Sequence, residues 1–152
     1  MSDFAPTPGN VVPVTNAANG IITQIVTGQA SAAITAGLAV YKSGTVAGSP
    51  PLPTFQETTS DNATSASVFG IALNNAKTNQ RVDVAVGGDI FFGAGLTLNV
   101  GDNIGLSSTS SALGWLANEP VLIAGQYPNN VGVMVGTTQC RLCIANHNGV
   151  AR

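Results

Sequence analysis

The sequence predicts an all-β fold, a small barrel or sandwich of about nine short strands, and three observations carry that prediction. Apolar residues come in short bursts at intervals of about 8–12 residues, not in long helical stripes. β-branched residues dominate several bursts, as in Ile21-Ile22-Thr23-Gln24-Ile25-Val26. Gly, Pro, Asn and Asp fill the intervals, where turns need their backbone conformations. At 152 residues the chain fits one domain with a proper core.

Residues 1–18 read as an extended N-terminal arm. Pro6, Pro8 and Pro13 forbid a helix, while Gly9, Asn10 and Asn16 supply turns. Residues 19–152 then form a single β domain. Its first strand lies between Gly20 and Gly28, and a second runs from Ile34 to Lys42, broken by Gly37. Only residues 29–36 are Ala-rich enough for a helical turn. Residues 43–64, with Pro50, Pro51 and Pro53 among Ser, Thr and Gly, read as a long surface loop. Val68–Leu73 is a further strand. In Arg81–Val86, Val82, Val84 and Val86 alternate with Arg81, Asp83 and Ala85, so the two sets face opposite ways. Gly87-Gly88-Asp89 reads as a turn before Ile90-Phe91-Phe92. Leu96, Leu98 and Val100 alternate with polar neighbours, and Ile104–Leu106 follows a Gly-Asp-Asn turn. Trp115-Leu116, Val121-Leu122-Ile123, Val131–Val135 and Gln139–Ala145 complete the set, before a polar tail.

Charge is the unusual property. Asp, Glu, Lys and Arg make up 8% of the chain, against roughly 25% in an average domain. A soluble monomer usually keeps a charged surface, so this chain either has a Ser/Thr/Asn/Gln surface or hides much of its surface in an assembly, which favours oligomers and lattices over a free enzyme. The net charge is −2, and Lys42, Lys77, Arg81, Arg141 and Arg152 are scattered singly. Nucleic-acid binding needs a basic stripe, and the sequence has none. No apolar run approaches the ~20 residues that span a bilayer. The first six residues lack the basic and apolar regions of a signal peptide, which implies synthesis in the cytoplasm.

The residues do not assemble into a recognisable catalytic set, and no enzyme activity is expected. The one histidine, His147, stands in the polar tail, whereas a triad or zinc hydrolase needs a held imidazole. Asp89 and Asp102 stand in Gly-rich turns that such side chains cap. Asp83 and Arg81 share a face and predict an exposed ion pair of little energetic worth. Cys140-x-x-Cys143 with His147 is the one metal-like spacing, but it lacks a fourth ligand. On a strand the two cysteines face opposite ways, Cys140 with Leu142 and Ile144 in the core, which argues against a disulfide between them. Gly87-Gly88 and Gly93-Ala94-Gly95 precede no helix and lack the Lys-Ser/Thr of a phosphate loop. No catalytic, cofactor or metal residue is therefore assigned.

The succession Ile34-Thr35-Ala36-Gly37-Leu38-Ala39-Val40-Tyr41, Gly70-Ile71-Ala72-Leu73-Asn74, Val82–Val86, Gly88-Asp89-Ile90 and Val100-Gly101-Asp102 resembles the head-decoration (cement) proteins of tailed bacteriophages, of the lambda type. Val131–Val135, Cys140–Ile144 and Asn148-Gly149-Val150-Ala151 continue the likeness, which spans residues 29–151. The resemblance implies a β-rich fold, a homotrimer on the outside of the virion, the major capsid protein as partner, and reinforcement of the expanded shell. It implies no enzyme activity, cofactor, nucleic acid or membrane. Lambda-type proteins are shorter, and residues 43–64 have no counterpart in them. The alternative is a tail or baseplate component with host-surface contact. A Pro-rich arm costs less entropy to order than a flexible one and can add to a neighbour as a strand. Phe4, Val11, Val12 and Val14 are its expected capsid contacts, and removing residues 2–14 is expected to abolish capsid binding while leaving the fold intact.

Overall fold

A computed structural model describes residues 2–109, 114–118, 122 and 124–146. They contain eleven strands: β1 (Ser2–Phe4), β2 (Val12–Pro13), β3 (Gln24–Ala30), β4 (Ala39–Val46), β5 (Leu52–Glu57), β6 (Gly70–Ala72), β7 (Arg81–Phe91), β8 (Asn103–Leu106), β9 (Leu116–Asn118), β10 (Asn130–Met134) and β11 (Gln139–Ala145). Two single turns of 3-10 helix, Pro8–Asn10 and Ala17–Asn19, interrupt the first part. The fold is all-β, with a closed five-strand barrel and additional strands.

Strand β7 belongs to both parts. Its first half pairs with β3 on one side, through Gln29↔Arg81 and Ile25↔Ala85, and with β6 on the other, through Ile71↔Ala85. β3 continues in parallel to β5, β5 antiparallel to β4, and β4 to β6, which closes the ring. The second half of β7 pairs with β11 and, on its other edge, with β2. From β11 the sheet runs antiparallel through β10, β8 and β9 to β1. The change of partner falls at Gly88, whose φ is +76°. A Cβ there would stand 2.2 Å from the carbonyl oxygen of Ile22, so both conformation and space require glycine.

The period-2 pattern of β7 is used on both faces. Val82 and Val84 enter the barrel core with Val40, Phe55 and Ala72, and Val86 packs on its margin. Phe55 and Phe69 meet there at 5.1 Å between ring centroids. Ala85 faces the other way. Together with Ile71 it joins the barrel wall to a second core of Ile90, Phe92, Ile104, Leu106, Leu116, Met134 and Cys140.

Several expectations are corrected by this arrangement. Residues 2–18 are extended, but they are part of the folded domain: β1 pairs with β9 and β2 with β7. Their prolines exclude an α-helix, although Pro8 opens one 3-10 turn, while their apolar side chains still gain by burial. The 43–64 loop is largely a hairpin, with β4 reaching Val46 and β5 starting at Leu52. Pro53 is tolerated inside β5, and Phe55 two residues on is wholly buried in the barrel. Residues 29–36 hold no helical turn; Ile34 instead makes an isolated bridge to Ala76. The alternation at Leu96, Leu98 and Val100 forms no strand, and Leu98 alone of the three is buried. Asp89 is not in a turn but inside β7. His147, Glu119 and most of Val121–Ile123 lie outside the described residues.

Candidate functional site

Among the described residues no three His, Cys, Asp or Glu side chains gather as a metal site would require. Cys140 is buried and Cys143 exposed, and neither is in a disulfide. Cys140 packs with Leu142 and Ile144 in the second core, as the strand alternation predicts. Burial pushes its thiol up to about 12, with the negative charge of Asp89 acting in the same direction, so it stays protonated and is a poor nucleophile.

The densest polar cluster is centred on Asp89, whose residue is fully buried. Arg141 donates Nε to Oδ1 at 2.8 Å and Nη2 to Oδ2 at 3.1 Å. Oδ2 also accepts from Gln139 Nε2 at 2.9 Å and from the Ile21 backbone N–H at 3.1 Å. The Arg141 hydrogen bond, foremost, holds the Asp89 carboxyl below its ordinary range against the opposing effect of burial. Gln139 Nε2 reaches on to the Asn19 carbonyl at 3.1 Å, and Thr23 Oγ1 donates to the Asp89 carbonyl. These bonds tie residues 19–23, which precede β3, to β7 and β11. The cluster acts as a tether. Sequence reasoning missed it because the Gly87-Gly88 pair resembled a hairpin turn.

The other carboxylates are simpler. Asp102 accepts from the Asn99 N–H and caps its turn, and Arg81 and Asp83 form the expected surface pair at 3.1 Å. Glu57 accepts from the Thr35 N–H at 2.9 Å. Its partial burial raises its pKa, and that hydrogen bond opposes the rise.

The four residues expected to touch a capsid are not brought together on the surface. Val11 and Val14 are buried in the chain's own core. Phe4 packs edge-on against Phe92, with ring centroids 5.8 Å apart. Val12 alone is open, at 47% exposure. The large aliphatic side chains that do face solvent lie elsewhere. Ile21, Ile22 and Ile25 line the entry to β3 and its first residues, and Val46 and Leu52 face each other across the tip of the β4–β5 hairpin. A shallow groove of about 350 Å³ runs from that tip to Thr27, Gly28 and Gln29 of β3. Between Asp3 and Lys42 the chain carries no charged residue, so β3 itself adds no charge here; Asp83 and Arg81 of β7 stand opposite its Thr27 and Gln29.

No helix of the described residues is long and apolar enough to cross a membrane. Comparison with protein-family models, with curated proteins and with solved structures finds no match to the chain.

Proposed function

We propose that the protein is a structural component of a phage virion that binds the outside of the capsid as a homotrimer and reinforces the expanded shell. The observation that carries this reading is the exposure of Ile21, Ile22 and Ile25 on an all-β fold whose sequence is only 8% charged. Exposed apolar surface of this kind marks a protein contact. A chain with so few charges has little else to keep it dispersed. The succession of motifs from Ile34 to Ala151 that resembles lambda-type decoration proteins supplies the identity of the partner, the major capsid protein.

In this role the protein works by contact area. A shell under internal pressure is held at the joints between its subunits, and many copies, each burying apolar surface across a joint, add to that hold. Because Val11 and Val14 are buried and Phe4 packs on Phe92, this reading assigns the contact to the exposed Ile21, Ile22 and Ile25, with Val12 the open member of the arm.

The test is co-sedimentation of the purified protein with mature, expanded heads and with tails, followed by electron microscopy. Saturable binding to heads, with density at three-fold positions, is the expected result. Binding to tails alone would replace this reading with a tail or baseplate role.

A further inference from the structure

We propose that Asn19-Gly20 is a self-modification site, where the Gly20 nitrogen displaces ammonia from the Asn19 side chain in the folded protein and the product loosens the Asp89 tether. The inference stands on this segment alone and does not rest on the capsid reading.

The reaction favours an asparagine followed by glycine, because a Cβ on the second residue hinders the approach of its nitrogen to the side-chain carbonyl. The chain has two such pairs, Asn19-Gly20 and Asn148-Gly149, and the second lies outside the described residues. Residues 15–19 are all exposed. Asn19 ends a single 3-10 turn, held by its own N–H to the Asn16 carbonyl at 3.0 Å and by the Ala18 N–H to Asn16 Oδ1 at 3.0 Å. A turn with so few bonds and no buried residue opens at little cost. Among the described residues nothing hydrogen-bonds the Asn19 side chain, and no acceptor takes the Gly20 N–H. Gln139 Nε2 donates to the Asn19 carbonyl at 3.1 Å, which draws charge from that peptide group and favours loss of the Gly20 proton.

The atoms balance with water as the only co-reactant. The Gly20 nitrogen bonds to Asn19 Cγ, the Cγ–Nδ2 bond breaks, and Nδ2 leaves as ammonia with the Gly20 proton. Water then opens the succinimide ring. Attack at Cγ gives aspartate. Attack at the main-chain carbonyl carbon gives isoaspartate, in which the link to Gly20 runs through Cβ and Cγ and is longer by one carbon.

The fold has no room for the longer link. A Cβ on Gly20 would collide with Gln139 Nε2 and stand 2.6 Å from Asp89 Oδ2. In isoaspartate the former Asn19 carbonyl oxygen belongs to a carboxylate. Gln139 Nε2 donates to that oxygen at 3.1 Å and to Asp89 Oδ2 at 2.9 Å, so it would stand between two like charges. The Ile21 N–H, which binds Asp89 Oδ2 at 3.1 Å, follows directly after Gly20. The modification therefore strikes the tether through Gly20, Ile21 and Gln139 together.

The experiment holds the native protein at mildly alkaline pH, below its melting temperature, and follows it by peptide mapping with mass spectrometry and by thermal unfolding. Asn19→Ser is treated alongside. It keeps the main-chain carbonyl that Gln139 binds, and circular dichroism checks its fold. Conversion of Asn19 to isoaspartate and aspartate in native wild type, a lower melting temperature of the aged protein, and unchanged melting of aged Asn19→Ser are the expected results. Asn19 that stays an amide in the native protein yet converts after denaturation would show that the fold protects it, and would overturn the inference. Converted Asn19 with unchanged melting would overturn the loosening of the tether. An equal fall in the melting of Asn19→Ser would trace the loss to another site, Asn148 included, and overturn it too.

Discussion

Arg141 grips Asp89 through two parallel hydrogen bonds of 2.8 and 3.1 Å, joining β11 to β7 where β7 passes from the barrel to the second sheet. The carboxylate is fully buried, while the Arg141 side chain keeps 44% exposure. The pair therefore avoids part of the desolvation cost that makes buried ion pairs poor stabilisers. With Gln139 and the Ile21 N–H it fills four acceptor sites of one carboxylate.

Asp89→Ala removes all four of those hydrogen bonds and releases residues 19–23 from β7. The lost charged hydrogen bonds are together worth about 3 kcal/mol. Urea unfolding is expected to show that loss, with the all-β far-ultraviolet spectrum retained. Stability within about 0.5 kcal/mol of wild type would mean that the cluster tethers nothing.

The same pair predicts a pH dependence. The Asp89 carboxyl is held below its ordinary value, chiefly by Arg141, so the unfolded chain takes up its proton first as pH falls. The stabilisation is complete above the unfolded pKa of about 3.9 and is lost as pH drops through the lower folded value. The stability gap between wild type and Asp89→Ala should hold constant from pH 7 to about pH 5 and narrow below about pH 4. A gap that is unchanged down to about pH 2 would show that ionisation of Asp89 is not what stabilises the fold.

The two cysteines give a prediction that needs no variant. Cys140 is buried, with its thiol pushed up to about 12, and Cys143 is exposed on the opposite face of β11. A neutral thiol reagent should modify one cysteine in the native protein and both after denaturation, with peptide mapping placing the first at Cys143. Modification of Cys140 at a comparable rate in the native state would mean that β11 opens readily.

How far the sequence could be read depended on whether local pattern or long-range pairing decided each element. The Val82-Val84-Val86 alternation and the opposed cysteines of Cys140 and Cys143 are local, period-2 facts, and they carried through to both cores. Asp89 was misread because its partners lie far away in the chain: Ile21 is 68 positions distant and Arg141 52. Pro53 was read as loop for a similar reason. A proline is admissible in β5 because the parallel pairing with β3 begins only at Gln29↔Thr54, one residue beyond it, and only that long-range contact shows this. The arm's surface anchors were misplaced because extended, Pro-rich chain looks the same whether it is free or pinned. The pinning comes from Phe92 and from β7, both remote in sequence.

Gly88 and Gly101 separate conformation from packing. Both have positive φ, +76° and +93°. A Cβ on Gly88 would strike the Ile22 carbonyl oxygen at 2.2 Å, whereas one on Gly101 meets nothing within 4 Å. Gly101→Ala should cost on the order of 1 kcal/mol for the left-handed conformation alone. Gly88→Ala should cost clearly more, because the strand from Ile22 must also move away from β7. Equal losses in thermal unfolding would mean that the close approach at Gly88 is easily relieved.

Removal of residues 2–14 decides whether the first segment is an arm or part of the core. The deletion strips β1 from β9 and β2 from β7, and it takes away the buried Val11 and Val14 and the Phe4 ring that packs on Phe92. Each such side chain contributes about 1.5–3 kcal/mol of burial, so the three together are worth on the order of 5 kcal/mol, comparable with the whole stability of many small domains. It also uncovers Gly37, which Pro6 and Val11 cover, and frees the Thr23 N–H from the Val14 carbonyl. The truncated protein should therefore melt far below wild type or fail to fold. The double variant Phe4→Ala, Val11→Ala, which keeps the chain length, should show about half to two-thirds of the loss. A truncated protein with unchanged melting would show that these residues lie on the domain without holding it together.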